Sequence, residues 1–248
     1  MGAAMIRSTL FNLSFYLWTT LMVLAFTPGL LMPYQVIVWG QRQWALGVNW
    51  LLAKIVNIKI EIRGQSRLPQ KAPYIVAAKH QSAWDTIIWH AIIKDPAIIL
   101  KEELLFIPIY GLMCKKSRMI PVNRKGGAKS LKAMAKKAKD AIEAERPIII
   151  FPQGTRTAFG AGGDDLPYQP GTSALYRTLG VPVVPVSLNS GYFWPRRAFV
   201  RKPGKIILEY LTPIEPGMKR IDFEAQLKIQ IESATKTIEA ETLQNIQS

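Results

Sequence analysis

The first 57 residues of the chain are dominated by apolar positions and carry little charge. No Asp, Glu, Lys or Arg lies between Arg7 and Arg42. Within that stretch, residues 10–27 form an uncharged run close to the length of about 20 residues that spans a bilayer core as a helix. Pro28 and Gly29 follow and are expected to end this helix.

A second, weaker apolar segment at 34–55 carries three tryptophans, a residue type enriched at the membrane–water interface: Trp39, Trp44 and Trp50. We expect residues 1–57 to form a two-helix hairpin that docks on a membrane, entering one leaflet or spanning shallowly, with both ends on the cytoplasmic side. A secretory signal is the alternative. It is disfavoured because only Arg7 precedes the apolar run and no small-x-small cleavage site follows it.

Beyond residue 57 the pattern changes to short apolar runs that alternate with helical periodicity. Residues 58–64 alternate between apolar and polar positions, which is typical of a strand with one buried face. Further strand-like runs lie at 74–78, 97–100, 119–122, 148–151, 181–186 and 205–210, and helical stretches at 84–94, 129–145, 172–179 and 223–242. This alternation predicts one α/β domain over residues 58–248, with a mostly parallel sheet flanked by helices. Ligands bind at the carboxyl ends of the strands in such sheets.

The pair His80 and Asp85 follows the strand-like run 74–78. Histidine is the side chain best suited to act as a general base near neutral pH. If the strand ends just before His80 and a helix begins soon after it, the carboxylate can hold one imidazole nitrogen and leave the other free to take a proton. The same spacing arises by chance in many proteins, so this pair alone does not establish catalysis. His90 lies in an apolar stretch and is interpreted as a packed or capping histidine.

Arginines follow two other strand-like runs. Residues 148–151 lead into a turn that contains Gly154, Thr155 and Arg156, and the run 119–122 leads to Arg124. A glycine lets the backbone approach a ligand closely, and an arginine offers a planar fork that matches phosphate. An ordinary turn with a solvated arginine is the alternative interpretation.

Taken together, these sequence segments resemble the motifs of the glycerolipid acyltransferase family, specifically those of the 1-acyl-sn-glycerol-3-phosphate acyltransferases. The family's Asn-His-x4-Asp motif is matched by the histidine and aspartate, and its strand-terminal arginine by Arg124. Its Glu-Gly-Thr-Arg motif is matched at 154–156, and its Val-Pro-x-x-Pro-Val strand at 181–186. Four motifs in the same order cover roughly residues 74–186. The resemblance implies the glycerolipid acyltransferase fold, and a similar two-helix membrane-docking segment is known in bacterial members of the family.

The resemblance also implies an activity. A fatty acyl group would pass from acyl-CoA or acyl carrier protein to the sn-2 hydroxyl of 1-acyl-sn-glycerol-3-phosphate, giving phosphatidic acid. His80, oriented by Asp85, would be the general base, and the substrate phosphate would be bound by Arg124, Gly154, Thr155 and Arg156. Backbone N–H groups near Gln81 or Gly154 are candidates to stabilise the oxyanion. The implied site needs no metal and no cofactor besides the acyl thioester, and it would lie on the cytoplasmic face of a bacterial-type inner membrane.

Two positions depart from the family pattern. Lys79 stands where asparagine usually precedes the histidine, and Gln153 stands in place of the glutamate. Gln153 can exchange hydrogen bonds but cannot act as an acid or base, and it is a candidate for a polar contact with the substrate. Because of this departure, the acyl acceptor could instead be another lysolipid, such as a lyso-ornithine lipid. A third hypothesis is that the chain is an inactive membrane-bound lipid-binding protein. It is disfavoured because His80 and Asp85 are both intact.

The charge and the cysteine content of the chain limit the kinds of partner and metal site that it can have. The net charge is +15, and residues 115–139 hold ten Lys or Arg and no acidic residue. We interpret this charge as serving an anionic membrane surface and an anionic acyl donor, with acyl carrier protein as a further partner. No nucleic-acid motif accompanies it, which argues against a nucleic-acid partner. The single cysteine, Cys114, excludes an internal disulfide, and with two histidines it offers no site of the structural zinc type.

Overall fold

The computed structural model describes residues 2–70, 73–162 and 167–247. In this part of the chain, seven strands form a single sheet. The strands are β1 (Ile58–Arg63), β2 (Ile75–Ala78), β3 (Ala97–Lys101), β4 (Ile120–Val122), β5 (Ile148–Ile150), β6 (Val183–Leu188) and β7 (Gly204–Tyr210). The helices in the same residues are α1 (Gly2–Phe26), α2 (Tyr34–Leu51), α3 (Trp84–Ile92), α4 (Tyr110–Lys116), α5 (Gly127–Glu143), α6 (Gly171–Leu179), α7 (Ser190–Phe193) and α8 (Arg220–Gln247).

The strand order across the sheet is β1-β7-β6-β2-β5-β3-β4. Neighbouring strands are parallel throughout, except that β6 and β7 pair antiparallel. The five strands from β6 to β4 therefore run one way, and the β7–β1 pair runs the other way. The prediction of a mostly parallel α/β sheet is confirmed.

Helices cover both faces of the sheet, as the period-2 alternation of the central strand requires. In β2, Val76 and Ala78 point into the apolar cluster beneath α1, α2 and α3. Ile75 and Ala77 point into the opposite cluster, beneath α5, α6 and α8. Because β2 is buried on both faces, its residues are apolar without interruption.

The N-terminal hairpin packs against the domain rather than standing apart from it. Phe11 on α1 is fully buried and meets Trp194 edge-on, with 5.3 Å between ring centroids. Val48 on α2 belongs to the same apolar cluster as strand β2. The boundary at residue 57 stays a prediction, since the two parts share one core.

The outer side of α1 is different, because a row of large apolar side chains is exposed there: Met5, Ile6, Leu10, Leu13, Leu17, Leu21 and Leu24. In the described residues, one helical stretch, Gly2–Leu31, is long and apolar enough to cross a membrane, by length and composition only. This stretch is a candidate membrane segment.

Two short helices, α4 and α7, do not follow from the sequence pattern. Each has fewer than eight residues, and α7 spans one turn, so neither is long enough to show a clear helical period. The segment 157–169 is rich in glycine and aspartate, which predicts a mobile loop beside the site. Its residues 163–166 lie outside the described residues.

Candidate active site

The side chains of His80 and Asp85 form the predicted pair. His80 lies in the loop after β2, and Asp85 lies in the first turn of α3. The His80 Nδ1 is 2.9 Å from the Asp85 Oδ2. The His80 side chain is 13% exposed and that of Asp85 is fully buried. The contact occupies Nδ1 and leaves Nε2 as the nitrogen available to a substrate proton.

The Asp85 carboxylate is held by three further donors. Its Oδ2 accepts hydrogen bonds from the backbone N–H groups of Gln81 (2.6 Å) and Ser82 (2.7 Å). Its Oδ1 accepts one from the Ser190 hydroxyl at 2.5 Å. A buried carboxylate is stable in ionised form only when its oxygens are bonded in this way. Sequence reasoning missed Ser190, although it follows the predicted strand 181–186 as His80 follows β2.

The imidazole and the backbone of His80 are also fixed. The ring stacks on Phe151, with 4.2 Å between ring centroids and 27° between the planes. The His80 carbonyl accepts hydrogen bonds from the N–H and the hydroxyl of Thr157, at 2.8 and 3.1 Å. Both contacts come from the segment after β5, which therefore fixes the ring and the backbone of the histidine.

The predicted phosphate-binding residues meet His80 at one cavity of about 490 Å³. Its lining includes His80, Arg124, Gly154, Thr155 and Arg156. Gly154 has a φ of +68°, and a Cβ there would lie 3.1 Å from the Gln169 side chain and 3.9 Å from the Arg124 guanidinium carbon. A glycine thus relieves backbone strain and leaves room for the Gln169 side chain.

A further arginine lines the same cavity. Arg196 donates a hydrogen bond to the Arg156 carbonyl at 3.4 Å. Burial lowers the pKa of Arg156, and the charges of Arg196 and Arg197 lower it further, against the attraction of Asp85. Burial also lowers the pKa of Arg124. An anion bound among these cations relieves their repulsion, so the site is suited to a phosphate. The sequence signal for Arg196 was the basic loop at 195–203.

The sequence of the chain is similar to those of known acyltransferases. The Acyltransferase family matches residues 59–189 of the chain. A 1-acyl-sn-glycerol-3-phosphate acyltransferase from Pseudomonas aeruginosa is 31% identical over 209 residues, which cover 81% of this chain and 77% of that protein. This chain belongs to the acyltransferase family.

Two other relatives show how far the likeness extends. The 1-acyl-sn-glycerol-3-phosphate acyltransferase alpha of Mus musculus is 27% identical over 64% of this chain, and the match spans 56% of the mouse protein. The crystal structure of the 1-acyl-sn-glycerophosphate (LPA) acyltransferase PlsC from Thermotoga maritima superposes with a TM-score of 0.76. That match covers 95% of this chain and 98% of that one at 20% identity, so the two share a fold.

The acyltransferase cavity is apolar away from the arginines. It extends between α1 and α2, where its lining includes Val23, Phe26, Ile37, Gly40 and Trp44. His90 and Cys114 are among the titratable residues that line this part of the cavity. Burial lowers the pKa of His90 to about 4 and raises the pKa of the Cys114 thiol to about 11. Both are uncharged at neutral pH, which suits a chamber for a hydrocarbon chain. His90 packs as the sequence predicts.

Gln153 was expected to make a polar contact with the substrate, but its side chain does not line this cavity. Its side chain is 2% exposed and turns towards α8, where Nε2 donates to Glu232 at 3.3 Å. The Lys79 ammonium binds the same carboxylate at 2.7 and 2.9 Å. Lys79 and Gln153 lie just beyond the ends of β2 and β5, and both side chains point towards α8 rather than into the cavity.

Backbone N–H groups near Gln81 or Gly154 were the candidates for stabilising the oxyanion, and those of Gln81 and Gly154 themselves are already occupied. The Gln81 N–H donates to Asp85, and the Gly154 N–H donates to the Phe151 carbonyl at 2.9 Å. Neither group is therefore free to bind a developing oxyanion in this conformation. Among the residues that the structure describes, no three His, Cys, Asp or Glu side chains are grouped as metal ligands would be.

Proposed function

We propose that this acyltransferase transfers a fatty acyl group from a thioester, acyl-CoA or acyl carrier protein, to the sn-2 hydroxyl of 1-acyl-sn-glycerol-3-phosphate, giving phosphatidic acid. The observation that carries the proposal is one cavity with an apolar extension, lined by three arginines and by His80, which is paired with the buried Asp85. The names of the bacterial and mouse relatives agree with this acceptor.

The chemistry follows from the free imidazole nitrogen. His80 Nε2 takes the proton of the acceptor hydroxyl as its oxygen attacks the thioester carbonyl carbon. The tetrahedral intermediate collapses, the carbon–sulfur bond breaks, and the imidazolium returns the proton to the thiolate. Asp85 keeps the neutral imidazole in the tautomer with the proton on Nδ1 and stabilises the imidazolium that forms. General-base assistance of this kind is worth about 10²- to 10⁴-fold in rate.

Substrate placement follows from the two ends of the cavity. Arg124, Arg156 and Arg196 would bind the acceptor phosphate, with Gly154 and Thr155 shaping the turn between them. An acyl chain would lie in the apolar part between α1 and α2. A lyso-ornithine lipid is the less favoured acceptor, because it lacks a phosphate and because Gln153, the departure that raised this alternative, faces away from the cavity.

The remaining expectations concern location and partners. We propose that the exposed apolar side of α1 lies in the cytoplasmic leaflet of a bacterial-type inner membrane. A substrate lipid would then enter the cavity beside α1 without crossing water. The exposed lysines of α5, among them Lys129, Lys132 and Lys136, would face anionic headgroups or an acidic acyl carrier protein.

The test is acyl transfer by detergent-purified protein with labelled acyl-CoA and, separately, labelled acyl carrier protein. Lysophosphatidic acid and lyso-ornithine lipid are compared as acceptors, with His80→Ala as the blank. We expect labelled phosphatidic acid from the native protein and none from the variant. Preference for the ornithine lipid would overturn the acceptor assignment, and activity in His80→Ala would overturn the mechanism.

A further inference from the structure

Helix α8 carries two buried carboxylates that bind the two neighbours of His80. The Glu232 carboxylate binds the Lys79 ammonium at 2.7 and 2.9 Å. The Glu239 Oε1 accepts a hydrogen bond from the Gln81 side-chain amide at 2.8 Å. Seven residues correspond to about two helical turns, so both carboxylates lie on one side of α8. Each residue is 8% exposed.

The same side of α8 reaches the other segments that build the site. Glu232 also accepts hydrogen bonds from the Gln153 amide (3.3 Å) and the Tyr168 hydroxyl (2.8 Å), both in the segment after β5. Glu239 also accepts one from the Gly160 N–H at 3.0 Å. One turn further along, the Thr242 hydroxyl oxygen accepts a hydrogen bond from the Asn189 amide at 2.7 Å.

Asn189 immediately precedes Ser190, which binds Asp85. His80 is therefore one residue away from a contact with α8, and so is Ser190, the residue that binds Asp85. We infer that α8 is a positioning element for the reaction, and that Glu232 and Glu239 are its positioning residues, holding the His80 loop from both sides. The inference rests on the role of His80 proposed above.

The composition of α8 supports this assignment. Its first half anchors the helix through Phe223, Leu227 and Ile231, which belong to the apolar cluster beneath the sheet. From Glu232 onwards the helix also buries two carboxylates, at a desolvation cost that an apolar side chain would not incur. A carboxylate at these positions is thus a poor choice for stability alone. It is a suitable one for fixing the geometry of polar loops.

The contacts also explain the two departures from the family motifs. Lys79 and Gln153 come from different strand ends, yet both bind Glu232. A lysine in place of asparagine needs a carboxylate partner, and a glutamate at position 153 would bring a second carboxylate beside Glu232. Around Glu232 the chain keeps one buried negative charge for the one buried positive charge of Lys79, and α8 supplies the negative one.

The decisive variant is Glu239→Ala, measured in the full-length protein in detergent. It removes the acceptor of the Gln81 amide without touching the cavity arginines. We expect kcat to fall by up to about 100-fold, the loss that a small misplacement of a reacting group can cause. The KM for lysophosphatidic acid should stay within about twofold, and the solvent deuterium isotope effect on kcat should rise as proton transfer becomes slower. Glu239→Gln retains an acceptor oxygen and should recover most of the activity.

Two controls separate positioning from folding. Thr235→Val lies on the same side of α8, between the two glutamates, and its hydroxyl has no hydrogen-bond partner within the described residues. It should leave kcat and the isotope effect unchanged. Ile231→Val removes a methylene from the apolar half and should lower Tm without changing the isotope effect. The isotope effect is a ratio, so it does not depend on how much of the protein is folded.

The second experiment relocates the carboxylate and does not depend on Glu239→Ala folding. Gln153→Glu should lower kcat at neutral pH, because two carboxylates then compete for one ammonium. The double variant Gln153→Glu/Glu232→Gln restores a single negative charge for Lys79 and should recover activity relative to Gln153→Glu.

Native kcat and an unchanged isotope effect in Glu239→Ala would overturn the role of Glu239. A double variant no more active than Gln153→Glu would overturn that of Glu232. Failure of the proposed function is a separate result, namely native protein without acyl transfer, or transfer that survives in His80→Ala.

Discussion

The Ser190 hydroxyl lies 2.5 Å from Asp85 Oδ1, the carboxylate oxygen that does not contact His80. The serine comes from the end of β6 and the aspartate from α3, which follows β2. Since β6 and β2 are adjacent parallel strands, their carboxyl ends bring the two residues together. The orientation of the His–Asp pair therefore depends on a third segment of the chain.

Removing the Ser190 hydroxyl should weaken the enzyme without abolishing it. Ser190→Ala leaves Oδ1 of the buried carboxylate without this donor, which costs about 1–3 kcal/mol of folding stability. We expect a kcat lower by roughly tenfold, which corresponds to about 1.4 kcal/mol of the barrier. Ser187→Ala is the matched control, because Ser187 is also buried on β6 and its hydroxyl has no partner among the described residues. Equal effects of the two substitutions on kcat would contradict the role of Ser190.

Asp85→Asn should have a much larger effect on catalysis. An asparagine can donate to Nδ1 and so favours the tautomer that carries the proton on Nε2, where it cannot accept one. We expect kcat to fall by about 10³-fold or more, as for comparable changes in other His–Asp pairs. Steady-state kinetics with lysophosphatidic acid and acyl-CoA would measure it. A loss of less than tenfold would argue against general-base catalysis by His80.

The arginines should act on acceptor binding. Arg124→Ala, Arg156→Ala and Arg196→Ala should each raise the acceptor KM about 10- to 100-fold, since a charge-assisted hydrogen bond contributes about 1.5–3 kcal/mol. The KM for the acyl donor serves as an internal reference. Arg177→Ala, at an exposed position on α6, is the control and should leave both KM values unchanged. An unchanged acceptor KM in Arg156→Ala would show that the phosphate binds elsewhere.

Introducing negative charges on the exposed apolar side of α1 should release the protein from membranes. Leu17, Leu21 and Leu24 are each more than half exposed, and burying a leucine side chain contributes about 1.5–3 kcal/mol. The triple change to aspartate should shift the protein from the pellet to the supernatant in a sedimentation assay with anionic vesicles. Ile229→Asp alters an equally exposed apolar residue on α8 and should not. Full vesicle binding by the triple variant would locate the membrane surface elsewhere.

His90 should make the fold sensitive to acid. Burial lowers its pKa from 6.5 to about 4, so below pH 6.5 the unfolded chain takes up a proton that the folded protein does not. The free energy of unfolding should therefore fall as the pH decreases from about 6.5 to 4, by at most about 3 kcal/mol from this residue. His90→Phe should reduce that fall, which urea unfolding at pH 7 and pH 4.5 would measure. Parallel pH dependences in the two proteins would refute the assignment.

The sequence by itself determined the strands, the longer helices and their order along the chain, because apolar periodicity is a local property of the chain. The runs at 58–64, 74–78 and 181–186 became strands within a residue or two of the predicted bounds. It also placed His80, Arg124 and Arg156 just after strand ends, and the rule that parallel strands end at one edge was enough to bring them together.

Only the tertiary structure decided which side chains bind the His80–Asp85 pair and which point away from the cavity. Ser190 and Asp85 are 105 residues apart, and Lys79 and Glu232 are 153 apart. Such contacts leave no periodic signal in the sequence. Gln153 was a candidate for a polar contact with the substrate because it adjoins the predicted phosphate-binding residues 154–156, whereas its own side chain turns to α8. That direction depends on the packing of a C-terminal helix whose partners lie across the sheet, which a local pattern cannot specify.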